Sequence, residues 1–481
     1  MAAPPLSDSP ASTGRLTGSL GPGAIVFMVV AAAAPLTVMA GSVPIGIALG
    51  TGAAFPAMFA VAAVILLFFA VGFTAMAPYV PSAGAFYSYV TLGLGRATGL
   101  GAACLALLTY VAVQGAVYGF FGAALGDLVT SFGGPSAPWW MWSLLGMATV
   151  AVLGYRHIDL SSKVLGILLV AEIGVVLVLD AVIVFRGGGE SGLSSAVLDP
   201  GQALSGSPGI ALMFAIGGFI GFEATAIFRD EARHPERTIP RATYGALAVI
   251  GVFYTVSGWA IVSGWGDSGA VSEANTNTAT MMADTATAYL GAAGADLVRA
   301  LLVSSVFACI LSFHNVIARY VFALAGASFL PRRLGRRHER HASPHAASVT
   351  VSVVAGAVLL VAIVAGLDPV TQVFAWLAGV ATVGIIALMV LTCLAIIVFF
   401  RRERVLTSPW RTLIAPGIGL AGLTACLLIT VDNMPLLVGG STVLATVLGA
   451  LLVAAFCAGP ALAWLRRGDR LPVPTLSEDL T

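Results

Sequence analysis

The chain has 481 residues, of which 58% are hydrophobic and only 9% charged, with a formal net charge of +1. A soluble domain carries about 25% charged residues, so this composition excludes a water-soluble fold and requires a surface that faces lipid. The net charge gives no sign of nucleic-acid binding, and the five cysteines stand singly in apolar segments. They form no Cys/His spacing, so neither a metal site nor a disulfide framework follows from them.

Residues 1–20 are rich in Pro, Ser and Gly and lack the basic start of a signal peptide, so they read as a disordered cytoplasmic tail. A spanning helix needs about 20 apolar residues, and on that measure about twelve segments qualify. In chain order they are 22–48, 54–77, 98–126, 138–155, 163–185, 208–228, 242–264, 294–325, 346–366, 371–399, 411–431 and 438–465. Tight turns are expected at 48–53 and 367–370, polar loops at 186–207 and 265–293, and a second cytoplasmic tail at 467–481. Basic residues mark the cytoplasmic side of such a protein. With both termini in the cytoplasm, all but Arg186 and Arg299 of the 23 basic residues fall on that side. Glu190, Asp199, Asp267, Glu273, Asp368 and Asp432 fall opposite.

Two of the segments carry helix breakers in mid-span. The first contains Ala34-Pro-Leu-Thr-Val-Met-Ala-Gly-Ser-Val-Pro-Ile-Gly46, and the sixth contains Phe214-Ala-Ile-Gly-Gly-Phe-Ile-Gly-Phe-Glu-Ala224. Backbone outside a helical ladder survives at membrane depth only against protein or a wet cavity. Both segments begin with a Pro-Gly pair, Pro22-Gly23 and Pro208-Gly209. Each heads a set of five spans, and five is odd, so the second set is inverted relative to the first. The expected architecture is an all-α integral membrane protein with broken first and sixth helices in a 5+5 inverted repeat. Residues 21–186 form the first repeat and residues 207–400 the second. Two peripheral helices over 409–466 complete it, with a peripheral or dimerisation role that leaves a homodimer open. Interrupted helices at matching places in two repeats mark the substrate site of a secondary transporter.

Four further stretches resemble the amino acid–polyamine–organocation superfamily, in its bacterial amino acid permease branch. Tyr79-Val-Pro-Ser-Ala-Gly-Ala-Phe-Tyr-Ser-Tyr-Val90 is similar to the family's P-S-A-G-x-x-Y element. Phe219-Ile-Gly-Phe-Glu223 follows in the sixth span. Asp230-Glu-Ala-Arg-His-Pro-Glu-Arg-Thr-Ile-Pro-Arg241 resembles E-E-x-x-x-P-x-R-x-I-P-R with Asp230 for the first Glu. The eighth span ends Phe313-His-Asn-Val-Ile-Ala-Arg319-Tyr, followed by Leu330-Pro331 and Ser343-Pro344. The resemblance covers roughly residues 20 to 465. Its first break departs from the commoner G-S-G-I-F form, and Pro35-Leu-Thr-Val-Met39 is closer to the P-M-T-V-F form of putrescine-importer-like branches. That keeps amines open as substrates.

The candidate substrate-binding residues are the two interruptions: Thr37, Val38, Met39, Ala40 and Gly41 in the first, and Ile216, Gly217, Gly218, Phe219 and Gly221 in the second. Bare N–H groups at half-helix N-termini suit a carboxylate and bare carbonyls suit an ammonium group, so the pair matches a zwitterion. The competing reading is that the glycines serve close helix packing. Gly217 stands where several relatives have an aromatic gate; either the pocket is enlarged there, or Phe214, Phe219 or Phe222 supplies the gate. Tyr110, Gln114 and Tyr118 form a stripe on the third span, and Tyr110 and Gln114 join the substrate candidates.

Glu172, at mid-depth in the fifth span, is the candidate coupling group, because an ionisable side chain there is a functional hypothesis by default. Relatives carry the proton on a Lys at the matching place. A Glu capped by hydroxyls or backbone is the structural alternative. Ser304, Ser305 and Ser312 are candidate hydroxyl ligands against the first break, set against bonding to their own helix. Phe222, Glu223, Asn315, Arg319 and Trp376 are candidate gating residues.

The sequence thus points to a permease of the plasma membrane that imports or exchanges amino acids by alternating access, coupled to protons or sodium. It needs no cofactor. A polyamine or organic-amine importer ranks second, because only Glu172 and Glu223 could neutralise extra amines. A non-transporting sensor ranks third. No His/Asp/Ser or metal constellation faces one plane, which argues against an enzyme.

Overall fold

In hydrocarbon every backbone N–H and C=O needs a partner within the chain, and a helix supplies one throughout its interior. The computed structural model describes residues 20–80, 86–156, 162–225, 232–326, 329–335, 344–403 and 408–465. The two tails (residues 1–19 and 466–481), the Ser82-Ala-Gly element and Asp230 lie outside the described residues.

Eleven helical spans among the described residues are long and apolar enough to cross a membrane. They are Pro22–Ala54, Pro56–Tyr79, Arg96–Ser131, Val164–Phe185, Pro208–Thr225, Pro235–Trp265, Met281–Gly326, His345–Val364, Pro369–Glu403, Trp410–Leu437 and Thr442–Trp464. The expected fourth span is also a helix, Trp139–Arg156. Its three tryptophans and terminal Arg156 keep its 18 residues out of that set. Spans are numbered below with this helix as the fourth, so the list resumes at Val164–Phe185 as the fifth.

The polar stretch 265–293 is a correction to the sequence reading. It is largely helical, as Asp267–Thr276 and the start of Met281–Gly326, with the chain turning at Gly291 (φ 75°). Met281, Met282, Ala270 and Ala274 are buried there, so these turns have an apolar face to fold against.

The third span is the centre of the molecule: 78% of its apolar window is buried, against 17% for the twelfth. Glycine makes that density possible. A side chain at Gly122 would meet Ser143 and the Trp139 carbonyl (2.5 Å), so the third and fourth spans nearly touch. The twelfth span docks on the third, where Gly459 lies against the backbone of Gly101, and the eleventh lies against the second and tenth. The short helix Phe86–Leu94 presses Gly93 against the tenth span, where a side chain on Gly93 would come within 2.6 Å of Ala395 Cα. Neither partner there is a flexible side chain. Gly93→Ala is therefore expected to destabilise the protein by about 1–3 kcal/mol or more through overpacking. The check is its melting temperature in detergent, with Gly417→Ala, where nothing lies within 4 Å, as the control.

Candidate functional site

The first span runs as a helix from Pro22 to Ala32 and stops. Ala34 takes a left-handed conformation, φ 47° and ψ 69°, and the helix resumes at Pro35. Proline dictates this place. The residue before it is pushed out of the α region, and proline itself fits the first turn of a new helix. The sequence expectation that Thr37, Val38, Met39, Ala40 and Gly41 are unwound is thus corrected. Thr37 is helical, and Val38–Ser42 forms a widened π turn rather than a gap. Pro44 has no N–H to return to Ala40, which favours that widening.

The sixth span is helical from Pro208 to Gly217, so Ile216 and Gly217 are not unwound either. The chain then turns over Gly218 to Gly221, and Gly221 carries φ 110°. The expectation of bare N–H groups here also needs correction. Phe219 N–H bonds to Ile216 O at 3.0 Å and Ile220 N–H to Gly217 O at 3.2 Å. Gly221 N–H donates to Glu223 Oε2 at 2.9 Å.

Two buried carboxylates hold the interruptions. Glu223 also accepts from the Tyr110 hydroxyl at 3.4 Å, fastening the sixth span to the third. Glu172 accepts from the backbone N–H of Leu36, one of the donors left outside the ladder where the first helix resumes. It also accepts from Ser305 Oγ at 2.8 Å, and Ser305 in turn accepts from Thr37 Oγ1 at 3.2 Å. Ser305 is therefore the member of the serine set that meets Glu172. Ser304 bonds back to Leu301 O at 2.8 Å, and Ser312 is exposed. Tyr254 donates to Ala33 O at 3.3 Å and steadies the other side of the break.

A cavity of about 80 Å³ lies between the two interruptions. The first span contributes Ala32, Ala33, Ala34, Thr37, Val38 and Ser42, and the sixth Phe214, Gly217 and Ile220. The third adds Val113, Ala116 and Val117, the eighth Cys309 and Phe313, and the tenth Phe374, Ala378, Ala381 and Thr382. No carboxylate or cationic side chain belongs to this lining. Its polar groups are the Thr37, Ser42 and Thr382 hydroxyls, the Cys309 thiol and the peptide groups of the breaks.

With an interrupted span on each side of a buried cavity, the chain has the parts of a solute carrier. The profile of the amino acid permease family matches residues 24–462. The chain belongs to this family. It is a multi-pass membrane permease, a transporter and not an enzyme, and membership implies an amino acid as the solute. No curated protein matches it.

Several residues expected at the site of this permease lie beside the cavity instead. Met39 and Ala40 are buried in packing, and a side chain at Gly41 would strike the Phe374 ring at 2.9 Å. Gly218 packs on Val38, Phe59 and Tyr254, and Phe219 turns to Tyr254, ring centres 6.1 Å apart. Phe222 packs edge-on to Phe69 at 5.9 Å. Tyr110 and Gln114 face the eighth span: Tyr110 lies by Phe313 at 6.1 Å, and Gln114 Nε2 is 3.4 Å from His314 Nδ1. Trp376 is partly buried against the core, Asn315 is half-buried and Arg319 exposed, and the cavity lining includes none of them. Sequence reading missed Ala32 to Ala34, though Pro35 marked their place, and the small face Ala378, Ala381 and Thr382 of the tenth span.

Proposed function

We propose that this permease carries a small amino acid across the plasma membrane by alternating access, as an importer or exchanger, with a proton as the coupling ion. The observation that carries the reading is the hydroxyl chain from the cavity to Glu172. Thr37 lines the cavity and donates to Ser305, which donates to Glu172, whose other support is the resumed first helix at Leu36. Solute binding at Thr37 and the protonation state of Glu172 then act on the same break. A carboxyl that loses or gains a proton changes its hold on an N–H and a hydroxyl, which biases a two-state element.

The 5+5 inverted repeat belongs to this proposal. In its favour, the two heading spans open as helices of 11 and 10 residues, Pro22–Ala32 and Pro208–Gly217, each with proline in its first turn. The side distribution of basic residues supports cytoplasmic termini. Sodium is the less favoured ion, because the place beside the first break is filled by a carboxyl and a hydroxyl that already bond to protein.

Size and chemistry favour an amino acid over a polyamine. A cavity of about 80 Å³ amounts to about three waters at liquid density, so it favours a small solute over an extended one. It offers no acidic side chain to a second ammonium group. Proteoliposome uptake with an imposed proton gradient tests the reading. Small neutral amino acids should accumulate and polyamines should not. Uptake confined to polyamines would reverse the assignment, and no uptake of either would favour a sensor.

A further inference from the structure

A hydroxyl on a spanning helix commonly donates to the carbonyl four residues back. Thr74, Thr109 and Thr392 do so, to Ala70 O, Leu105 O and Leu388 O at 2.8, 2.8 and 2.7 Å. Ser42 does not. It closes the widened turn Val38–Ser42, where the Val38 carbonyl takes the N–H of Val43. Its hydroxyl has no hydrogen-bond partner among the described residues, although the residue is only 7% exposed. Thr51 and Tyr320 also carry unpartnered hydroxyls, but those are fully enclosed. Ser42 instead lines the cavity between the interruptions.

The other polar side chains of that lining are committed. The Thr37 proton goes to Ser305 Oγ at 3.2 Å, and the Thr382 proton to Ala378 O at 2.9 Å. Cys309 offers only a thiol, a weak donor. Among the described residues Ser42 therefore carries the one strong side-chain donor of the lining that protein does not engage, and its oxygen is free to accept as well. Its place is fixed by packing. Gly41 brings the turn against Phe374, which also lines the cavity, and the Phe374 and Phe120 rings lie 5.0 Å apart. Widened turns of this kind are frequent at functional sites.

The ammonium group that every amino acid shares is matched to the carbonyl end of the helix that stops at Ala32. Ser42 lies about two turns beyond the break at Ala34, so it meets a different part of a solute held there, the side chain. Val113, Ala116, Val117, Ala378 and Ala381 complete this side of the lining and select by size alone. Water can answer the Ser42 hydroxyl in the empty carrier. A solute hydroxyl that displaces the water reproduces its bond, and a methyl group in the same place loses it. A site built to bond a substrate hydroxyl also rejects the analogue that lacks it far better than an apolar pocket rejects an added one.

We propose that Ser42 is a specificity-determining residue of this permease, and that it selects small amino acids with a hydroxyl on the side chain, of which serine is the smallest. The inference deepens the reading of the cavity as an amino acid site and rests on it.

Serine and 2-aminobutyrate provide the test, because they share a shape and differ by a hydroxyl against a methyl group. Their affinities are measured by titration calorimetry on the purified permease in detergent. The wild-type protein should bind serine about tenfold more tightly, the worth of one hydrogen bond. Ser42→Ala should bring that ratio to about one, and Ser42→Cys, which nearly keeps the volume with a weaker donor, should leave it in between. A residue that only supports the fold would lower both affinities together and leave the ratio where it was. Equal wild-type affinity for the two solutes, a comparison that needs no variant, would overturn the role of Ser42 and leave the amino acid reading standing. A native ratio in Ser42→Ala would do the same, because the hydroxyl would then be read elsewhere. Binding of neither solute would sink the small-amino-acid reading of the cavity and this inference with it.

Discussion

Glu172→Gln is expected to abolish accumulation driven by a proton gradient while leaving solute exchange intact. A gradient of two pH units is worth about 2.7 kcal/mol per proton, because each unit is worth about 1.36 kcal/mol. A carrier moving one proton with each solute therefore concentrates it about 100-fold, and an uncoupled variant only equilibrates it. Glutamine suits the test because its volume matches and its amide oxygen still accepts from Leu36 N–H, where the native carboxylate does. Its amide nitrogen can face Ser305, whose hydroxyl still accepts from Thr37. The break in the first span should hold, and the melting temperature should stay close to that of the native protein. Accumulation at the native level by Glu172→Gln would rule out this carboxyl as the coupling group. Ser305→Ala should give a weaker form of the same defect, since it removes one hydroxyl and leaves the carboxyl.

The existence of the two interruptions was legible in the sequence, because Pro35 in mid-span cannot continue a helical ladder and Gly217, Gly218 and Gly221 cluster in the sixth span. Their exact places were not. Gly41 drew attention as a breaker, yet it sits where a helix crosses Phe374 and Phe120 closely. Pro35 decides the break by acting on the residue before it. In the third span Tyr110 and Gln114 share a helical face that meets Phe313 and His314 of the eighth span, with the Tyr110 hydroxyl reaching Glu223 of the sixth. The cavity takes the adjoining face of Val113, Ala116 and Val117. Helical spacing says which residues share a face, not which neighbour that face meets. In a soluble protein polarity often settles the neighbour. Here lipid, packing and cavity all accept alanine and valine, so the small faces that form most of the lining carry no contrast to read. Glu172 stood out for the opposite reason: a carboxyl among leucines and valines has to be answered by something, and Ser305 and Leu36 answer it.

Gly217→Phe is expected to eliminate uptake while leaving the protein folded. Gly217 is the last residue of its helix, with no positive φ, so a side chain there is not strained by the backbone. Replacing glycine in a helix favours the folded state by up to about 1 kcal/mol. A Cβ at this position meets only Thr382 Oγ1 within 4 Å, at 2.8 Å, so that hydroxyl has to shift, and both residues border the cavity. A benzyl group has seven carbons, against a space of about 80 Å³ that amounts to about three waters at liquid density. It would take the volume that the solute needs. Gly217→Ala separates occlusion from damage. One methyl group should weaken binding of the larger amino acids by more than that of glycine, because the loss scales with how much of the cavity the solute fills. Transport by Gly217→Phe at the native rate would mean that the solute never enters between the two interruptions, whatever its path through the rest of the fold. Loss of uptake with an unchanged melting temperature, and a graded loss with solute size in Gly217→Ala, would put the solute against Gly217 itself.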